Sequence, residues 1–300
     1  MPFTTPITWG TATVTVAQMN EQVRDNMTFL YQQSPYSYPA QGRLTLASGT
    51  PVPISNIDSA GTIYYTPYYG DRIALYDGSD TWDIVSFTEM SVDITALTPS
   101  KPHDFFVYNN GGTATAEVLE WTDANNRATG LSYQNGVLVK TGATTRRFVG
   151  VFYVDSGTAC HDSATKRLCV NYYNTIQRNL FVTETTSHTY NGAFRKWNNS
   201  DTNNKLEFMS PLQETLMEGV LAANIKAGAA GNFAQVRLYY NDSTGGITLK
   251  NYNAQFILSQ IMDLKANSLL LGYNYVQCHE YGNHAASTFA AMYMSGYIWG

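Results

Sequence analysis

The densest group of reactive side chains in this 300-residue sequence is VQCHEYGNH, which places Cys278, His279, Glu280 and His284 close together. Such a set could ligate zinc or pair a thiol with its base. The surrounding GYNYVQCHEYGN reads as a strand, and a strand sends successive side chains to opposite faces. Tyr273, Tyr275, Gln277, His279 and Tyr281 then share one face, while Asn274, Val276, Cys278 and Glu280 share the other. Cys278 and His279 point apart, and so do His279 and Glu280. A zinc ion needs three or four ligands converging within about 2.0–2.3 Å, which adjacent strand residues do not supply. His284 lies beyond Gly282, in the expected turn, and no CxxC or HExxH offers distant ligands. No catalytic residue, metal or cofactor is therefore assigned. What the strand displays is an amphipathic, hydrogen-bonding row of Tyr273, Tyr275, Gln277, His279 and Tyr281, a candidate receptor surface or subunit interface.

Other polar clusters resolve into turns. DGSDTWD groups Asp77, Asp80 and Asp83, but lacks the alternating ligands, central glycine and distal glutamate of a calcium loop. Asp77-Gly78 is a turn signal instead. NNSDTNN and NDSTGG are polar loops able to hydrogen-bond a sugar, as many loops are. The sequence contains no GxSxG elbow, phosphate loop or dinucleotide fingerprint.

Composition narrows the classes further. Charged residues make up 14% of the chain, the net charge is -5, and no long basic run occurs, so nucleic acid is not an expected partner. Tyrosines number 22 against 18 Lys plus Arg. Aromatic side chains fit a pleated, half-buried surface and also suit contact surfaces, so a β-rich chain is expected. MPFTTPITWG has neither a basic nor an apolar leader segment, and no apolar run approaches the roughly 18 residues of a membrane helix. No membrane insertion is expected. Three cysteines, Cys160, Cys169 and Cys278, are an odd set without a leader, which points to free, mostly buried thiols.

The elements that must position these residues fall into three segments: 1–40, 41–183 and 184–300. The first contains one helix, about residues 15–33. Thr15 and Gln18 have capping-box spacing, Val14 and Met19 have staple spacing, and Pro35 ends the run. Val16, Met19, Val23, Met27 and Leu30 form a narrow apolar stripe among polar neighbours. About 18 helical residues would reach roughly 27 Å. A stripe so narrow needs a partner: its own copies in a bundle, a groove on another protein, or this chain's own sheet. SPYSYPAQG then reads as a linker.

From Gly42 onward short strands alternate with turns. Asn135-Gly136 and Asn109-Asn110-Gly111-Gly112 are hairpin signals. The expected fold is mainly β: an N-terminal helix and anchor, then two β-sandwich or barrel-like domains, the second being 184–300. TETTSHT reads as a polar connector between them. In PLQETLMEGVLAANIKAGAAG, Leu212, Leu216, Val220 and Leu221 fit a helix, while Gly219 and the Gly-Ala-rich end weaken it, so periodicity leaves 211–231 unassigned.

TPITWGTATVTVAQMNEQVRDNMTFL resembles the N-terminal segment of tailed-bacteriophage virion structural proteins, through Thr5, Pro6, Trp9, Ala17, Gln18, Asn20, Arg24, Asp25 and Asn26. GRLTLASGTPVP with GTIYYTPYYGDRIALYDG is similar to the next module of such proteins, as are WTDANNRATGLSYQNGVLVKTGATTRRFVG and DSATKRLCVNYYN. GYNYVQCHEYGN and SGYIWG are similar to their C-terminal β-module. The resemblance implies a non-enzymatic virion component, homotrimeric, assembled in the host bacterial cytoplasm beside other tail, connector or capsid proteins. Trp9, Val16, Met19, Val23, Met27 and Leu30 would anchor it or join its three chains, and the C-terminal β-domain would meet a host-surface glycan. Two alternatives remain: a capsid decoration or head-fibre protein, and a polysaccharide depolymerase, against which the chain length and the lack of a β-helix repeat already count.

Overall fold

The computed structural model describes residues 5–8, 13–33, 38–202, 204–213, 217–242, 248–253, 257–262 and 271–300. The chain is mainly β, with one N-terminal helix and several sheets. The helix begins where the sequence places it. Thr15 is extended (φ -81°, ψ 157°), its hydroxyl accepts the Gln18 N–H at 3.2 Å, and the Gln18 side chain accepts the Thr15 N–H at 2.9 Å. This reciprocal cap satisfies two of the donors a helix start leaves open. The helix runs Val16–Met19, passes through a π-helical stretch Asn20–Asp25, and continues as Asn26–Gln33.

Residues 38–41, expected to be linker, are docked instead. Tyr38 lies 4.7 Å from Trp82, and the Pro39 carbonyl accepts the Ala74 N–H at 2.8 Å. The buried Arg147 guanidinium donates to the Tyr38, Pro39 and Ala74 carbonyls. One cation thus uses its fork of donors to tie three backbone carbonyls together.

The middle region contains a three-stranded sheet (Gly42–Thr45, Thr62–Pro67, Met90–Asp93) and the hairpin Arg72–Tyr76 with Trp82–Ser86. Both pack on a six-stranded sheet in the order Thr113–Glu120, Lys101–Asn110, Ala143–Val154, Val137–Lys140, Leu131–Gln134, with Cys169–Asn171 beside Ala143–Val154. Asn135 (φ +48°) and Gly136 (φ +83°) are both left-handed, the backbone a two-residue hairpin turn needs. Where the three-stranded sheet meets Cys169–Asn171, the buried Asn171 amide imitates a strand. Its Oδ1 accepts the Leu44 N–H at 2.6 Å and its Nδ2 donates to the Leu44 carbonyl at 3.1 Å.

The C-terminal region is a β-sandwich. One layer is an eight-stranded sheet whose central strand is Gly272–Gly282, flanked by Lys205–Ser210 and Ala234–Tyr240, with Gly192–Lys196 also paired to it. The other is a five-stranded sheet in the order Gln177–Glu184, Thr288–Trp299, Glu218–Lys226, Ile257–Met262, with His188–Thr189 on Thr288–Trp299. Within 211–231, which periodicity left unassigned, Glu218–Lys226 is a strand whose Leu221, Ala223 and Ile225 face the core. The boundary drawn at 183/184 falls within the strand Gln177–Glu184. Strands Ile57–Ala60, Cys160–Asp162 and Lys166–Arg167 extend the eight-stranded sheet from the middle of the chain. A single buried cluster runs from Leu44 to Ile298, so the two regions share one apolar core.

Candidate functional site

The strand Gly272–Gly282 carries the residues singled out by sequence, and alternation holds along it. Val276, Cys278 and Glu280 are fully buried on the inner face, with Leu206, Phe208, Val236 and Leu238 from the neighbouring strands. Tyr273, Tyr275, Gln277, His279 and Tyr281 occupy the other face. The Cys278 Sγ lies 3.9 Å from the His279 carbonyl, and burial pushes its thiol well above the ordinary range. A thiol so held is not a nucleophile. Cys160, Cys169 and Cys278 are all free, and no metal-holding group of His, Cys, Asp or Glu occurs among the described residues.

The aromatic row is covered by its own neighbours. Tyr273 stacks on Tyr153 at 4.5 Å and donates its hydroxyl to Glu207 Oε1 at 2.7 Å. The ammonium of Lys205 lies 5.0 Å from the Tyr275 ring. Gln277 Nε2 donates to Asn204 Oδ1 at 2.7 Å. His279 stacks on Tyr239 at 3.8 Å, and burial pushes its pKa down to about 4, so the ring is neutral near pH 7. Tyr281 lies 5.3 Å from both Phe194 and Phe233. The five residues share a face as expected, but their rings pack against other residues of this chain.

On the inner face Glu280 anchors a buried ionic cluster. Its carboxylate meets His188 Nε2 at 2.5 Å and Arg195 Nε at 2.7 Å. Such a charge is tolerated in a core only when paired and hydrogen-bonded. His188, within the segment read as a polar connector, also stacks on Phe289 at 5.6 Å and meets Trp197 edge-on at 5.5 Å. It joins the two layers of the sandwich, since His188–Thr189 pairs with one sheet while Glu280 sits in the other.

The N-terminal candidates present the opposite picture. Val16, Met19, Val23, Met27 and Leu30 are exposed, from 41% at Val23 to 77% at Val16. Trp9 lies outside the described residues. No helix among the described residues is long and apolar enough to cross a membrane.

A second exposed surface escaped the sequence reading. Tyr293, Ser295, Tyr297 and Trp299 alternate along Thr288–Trp299 on the outside of the five-stranded sheet, beside Phe181. The alternation in MYMSGYIW was the available signal. The neighbouring rings come from another strand, and only long-range register brings them together.

No family model matches the chain, and no curated protein matches it. Among solved structures, the CBM36-1 domain of a multidomain xylanase from the hindgut metagenome of Trinervitermes trinervoides is similar to 39% of this chain and 95% of its own, at 13% identity and a TM-score of 0.24. A family two carbohydrate esterase from Cellvibrio japonicus is similar at 14% identity over 42% of this chain and 35% of its own (TM-score 0.19). A glycoside hydrolase family 43 arabinoxylan arabinofuranohydrolase from Bacillus subtilis is similar at 10% identity over 79% of this chain and 52% of its own (TM-score 0.24). This chain thus spans about half or less of the two enzymes. Likenesses this weak carry neither a fold nor an activity to it.

Proposed function

We propose that this chain is a non-enzymatic structural component of a bacteriophage particle. In this reading it is a homotrimeric tail fibre or appendage, attached through its N-terminal segment and presenting the C-terminal β-sandwich to a host-surface glycan. The observation that carries the reading is a properly capped helix whose apolar side chains are uncovered. Val16, Met19, Val23, Met27 and Leu30 are all exposed on one short helix. An isolated helix of this length is marginal in water, and most helical stability comes from covering an apolar face. Burying a Val, Leu or Met side chain contributes roughly 1.5–3 kcal/mol, so three copies meeting along this stripe stabilise one another. The resemblance of the N-terminal segment to virion proteins supplies the particle.

Light scattering on the full chain tests the oligomer. A mass three times 33.3 kDa is expected, falling to that of one chain in Val23→Asp, which places a charge in the seam. A monomeric parent chain would refute the trimer. Peptides of this chain should be present in purified virions at no more than a few dozen copies per particle. Hundreds of copies would make it a capsid decoration protein instead.

A further inference from the structure

The outer surface of the five-stranded sheet holds a recess that the stacked rings of Gly272–Gly282 do not share. Register places Phe181 and Val220 on either side of Ser295, and Asn179 and Glu218 on either side of Tyr297. Tyr293 and Tyr297 are the next outward residues along the strand from Ser295. Ser295 is thus a short side chain between Phe181, Val220 and Tyr297, and a groove of about 680 Å³ opens over it. Phe181 is 46% exposed, Tyr293 40% and Trp299 53%. Tyr297 is fixed by donating its hydroxyl to Glu218 Oε2 at 2.6 Å.

We propose that this recess is a binding subsite for an uncharged sugar ring of a glycan. The walls offer ring faces, which take the apolar C–H side of a pyranose. The Ser295 hydroxyl, the Asn179 amide and the Glu218 carboxylate stand where the sugar's hydroxyls need partners. Among the described residues no cation lines the groove, and Glu218 is the single charged group of its lining. Its sign opposes uronic and sialic acids, so the complementary ligand is neutral. The groove also has the size of a small-molecule site, about 300–1,000 Å³. A second copy of this chain fits less well. A stable protein interface covers about 800 Å² per partner around an apolar core, whereas here Ser295, Asn179 and Thr183 break the apolar surface between rings. The inference rests on the glycan-binding reading above and names where on the sandwich the sugar sits.

Saturation-transfer NMR tests it on the full chain, with millimolar glucose, galactose, mannose, rhamnose and N-acetylglucosamine, and glucuronate as the charged control. At least one neutral sugar should receive saturation and glucuronate none. Ser295→Trp fills the recess with a residue that suits an exposed strand position, and should abolish the signal. Phe181→Ala removes one platform and should weaken binding roughly tenfold. An unchanged signal in Ser295→Trp, or no signal from any neutral sugar, overturns the subsite. If Ser295→Trp instead changes the mass in light scattering, the face is an interface between copies and the subsite falls. Adsorption of the protein to host cells reads the parent proposal separately: adsorption that survives Ser295→Trp removes this subsite and leaves host binding standing.

Discussion

Glu280→Gln should both weaken the sandwich and flatten its response to pH. The carboxylate is fully buried and meets His188 at 2.5 Å and Arg195 at 2.7 Å. Removing one partner of a buried ion pair typically costs 3–5 kcal/mol, because the other charge is stranded. Here the loss is smaller. Arg195 is 29% exposed at its side chain and reaches water, His188 can release its proton, and Gln keeps the volume and one acceptor. About 2 kcal/mol is expected, roughly a 30-fold change in the folding equilibrium. The pH signature is more specific. Burial disfavours the His188 imidazolium, but its hydrogen bonds to Glu280 and to the Thr186 carbonyl, together with the carboxylate charge, outweigh burial and the opposing Arg195 charge, and the pKa is raised above 6.5. A raised histidine contributes stability that is fully present below its unfolded pKa of about 6.5 and is lost as pH rises through the folded value. Urea unfolding between about pH 6 and pH 8.5 should therefore show a falling stability in the parent chain, and little of this slope in Glu280→Gln. A His188 NMR titration with a midpoint at or below 6.5, or an equal slope in the variant, would refute the reasoning.

Three further perturbations test other parts of the structure. Asn171→Leu leaves the Leu44 N–H and carbonyl unpaired in the core, and should lower the unfolding free energy by about 2–4 kcal/mol in urea; a change under about 0.5 kcal/mol would mean that this amide is not a strand substitute. Gly150→Ala places a methyl 2.4 Å from the Val170 carbonyl and 2.7 Å from Leu44 Cδ1, so a loss of about 1–3 kcal/mol is expected by calorimetry, and a neutral result would contradict the close approach of the two strands. His279, pushed down to about 4 by burial, should stay neutral until well below pH 5 by NMR. A depressed histidine gives stability that is present above 6.5 and lost as pH falls toward 4, opposite in sign to His188. His279→Phe, which keeps the stack on Tyr239, should reduce the acid-side loss, and an unaltered acid limb would exclude His279 as its source.

How much of this was legible in the sequence depends on the range of the interactions. The helix start was legible because Thr15 and Gln18 satisfy each other within one turn. The hairpin at Asn135-Gly136 was legible for the same local reason: two left-handed residues fit one kind of turn. The face shared by Tyr273, Tyr275, Gln277, His279 and Tyr281 follows from the strand period alone. Whether that face is open did not follow, because Tyr153, Tyr239, Phe194 and Phe233 arrive from other elements. Glu218–Lys226 was hidden because its alanines favour a helix while Gly219 opposes one; its place between Thr288–Trp299 and Ile257–Met262 makes it a strand. His188 looked like part of a connector because its partner, Glu280, is 92 residues away.

The two exposed surfaces on which the proposals rest differ in chemistry, and each proposal follows from its own surface. Val16, Met19, Val23, Met27 and Leu30 are flexible or branched aliphatic side chains that carry no hydrogen-bonding group themselves. Such a seam gains free energy only by excluding water against another apolar surface, and a copy of the same helix supplies one in register. Phe181, Tyr293, Tyr297 and Trp299 are rigid rings interleaved with Ser295, Asn179 and Glu218. A wholly apolar partner there would strand the polar groups without hydrogen bonds, each such loss costing about 1–3 kcal/mol. A sugar, with an apolar face and a polar edge, satisfies both parts at once. The proposed self-association of the helix and the proposed sugar site on the outer sheet thus draw on different chemistry, and a change at either surface should leave the other function intact.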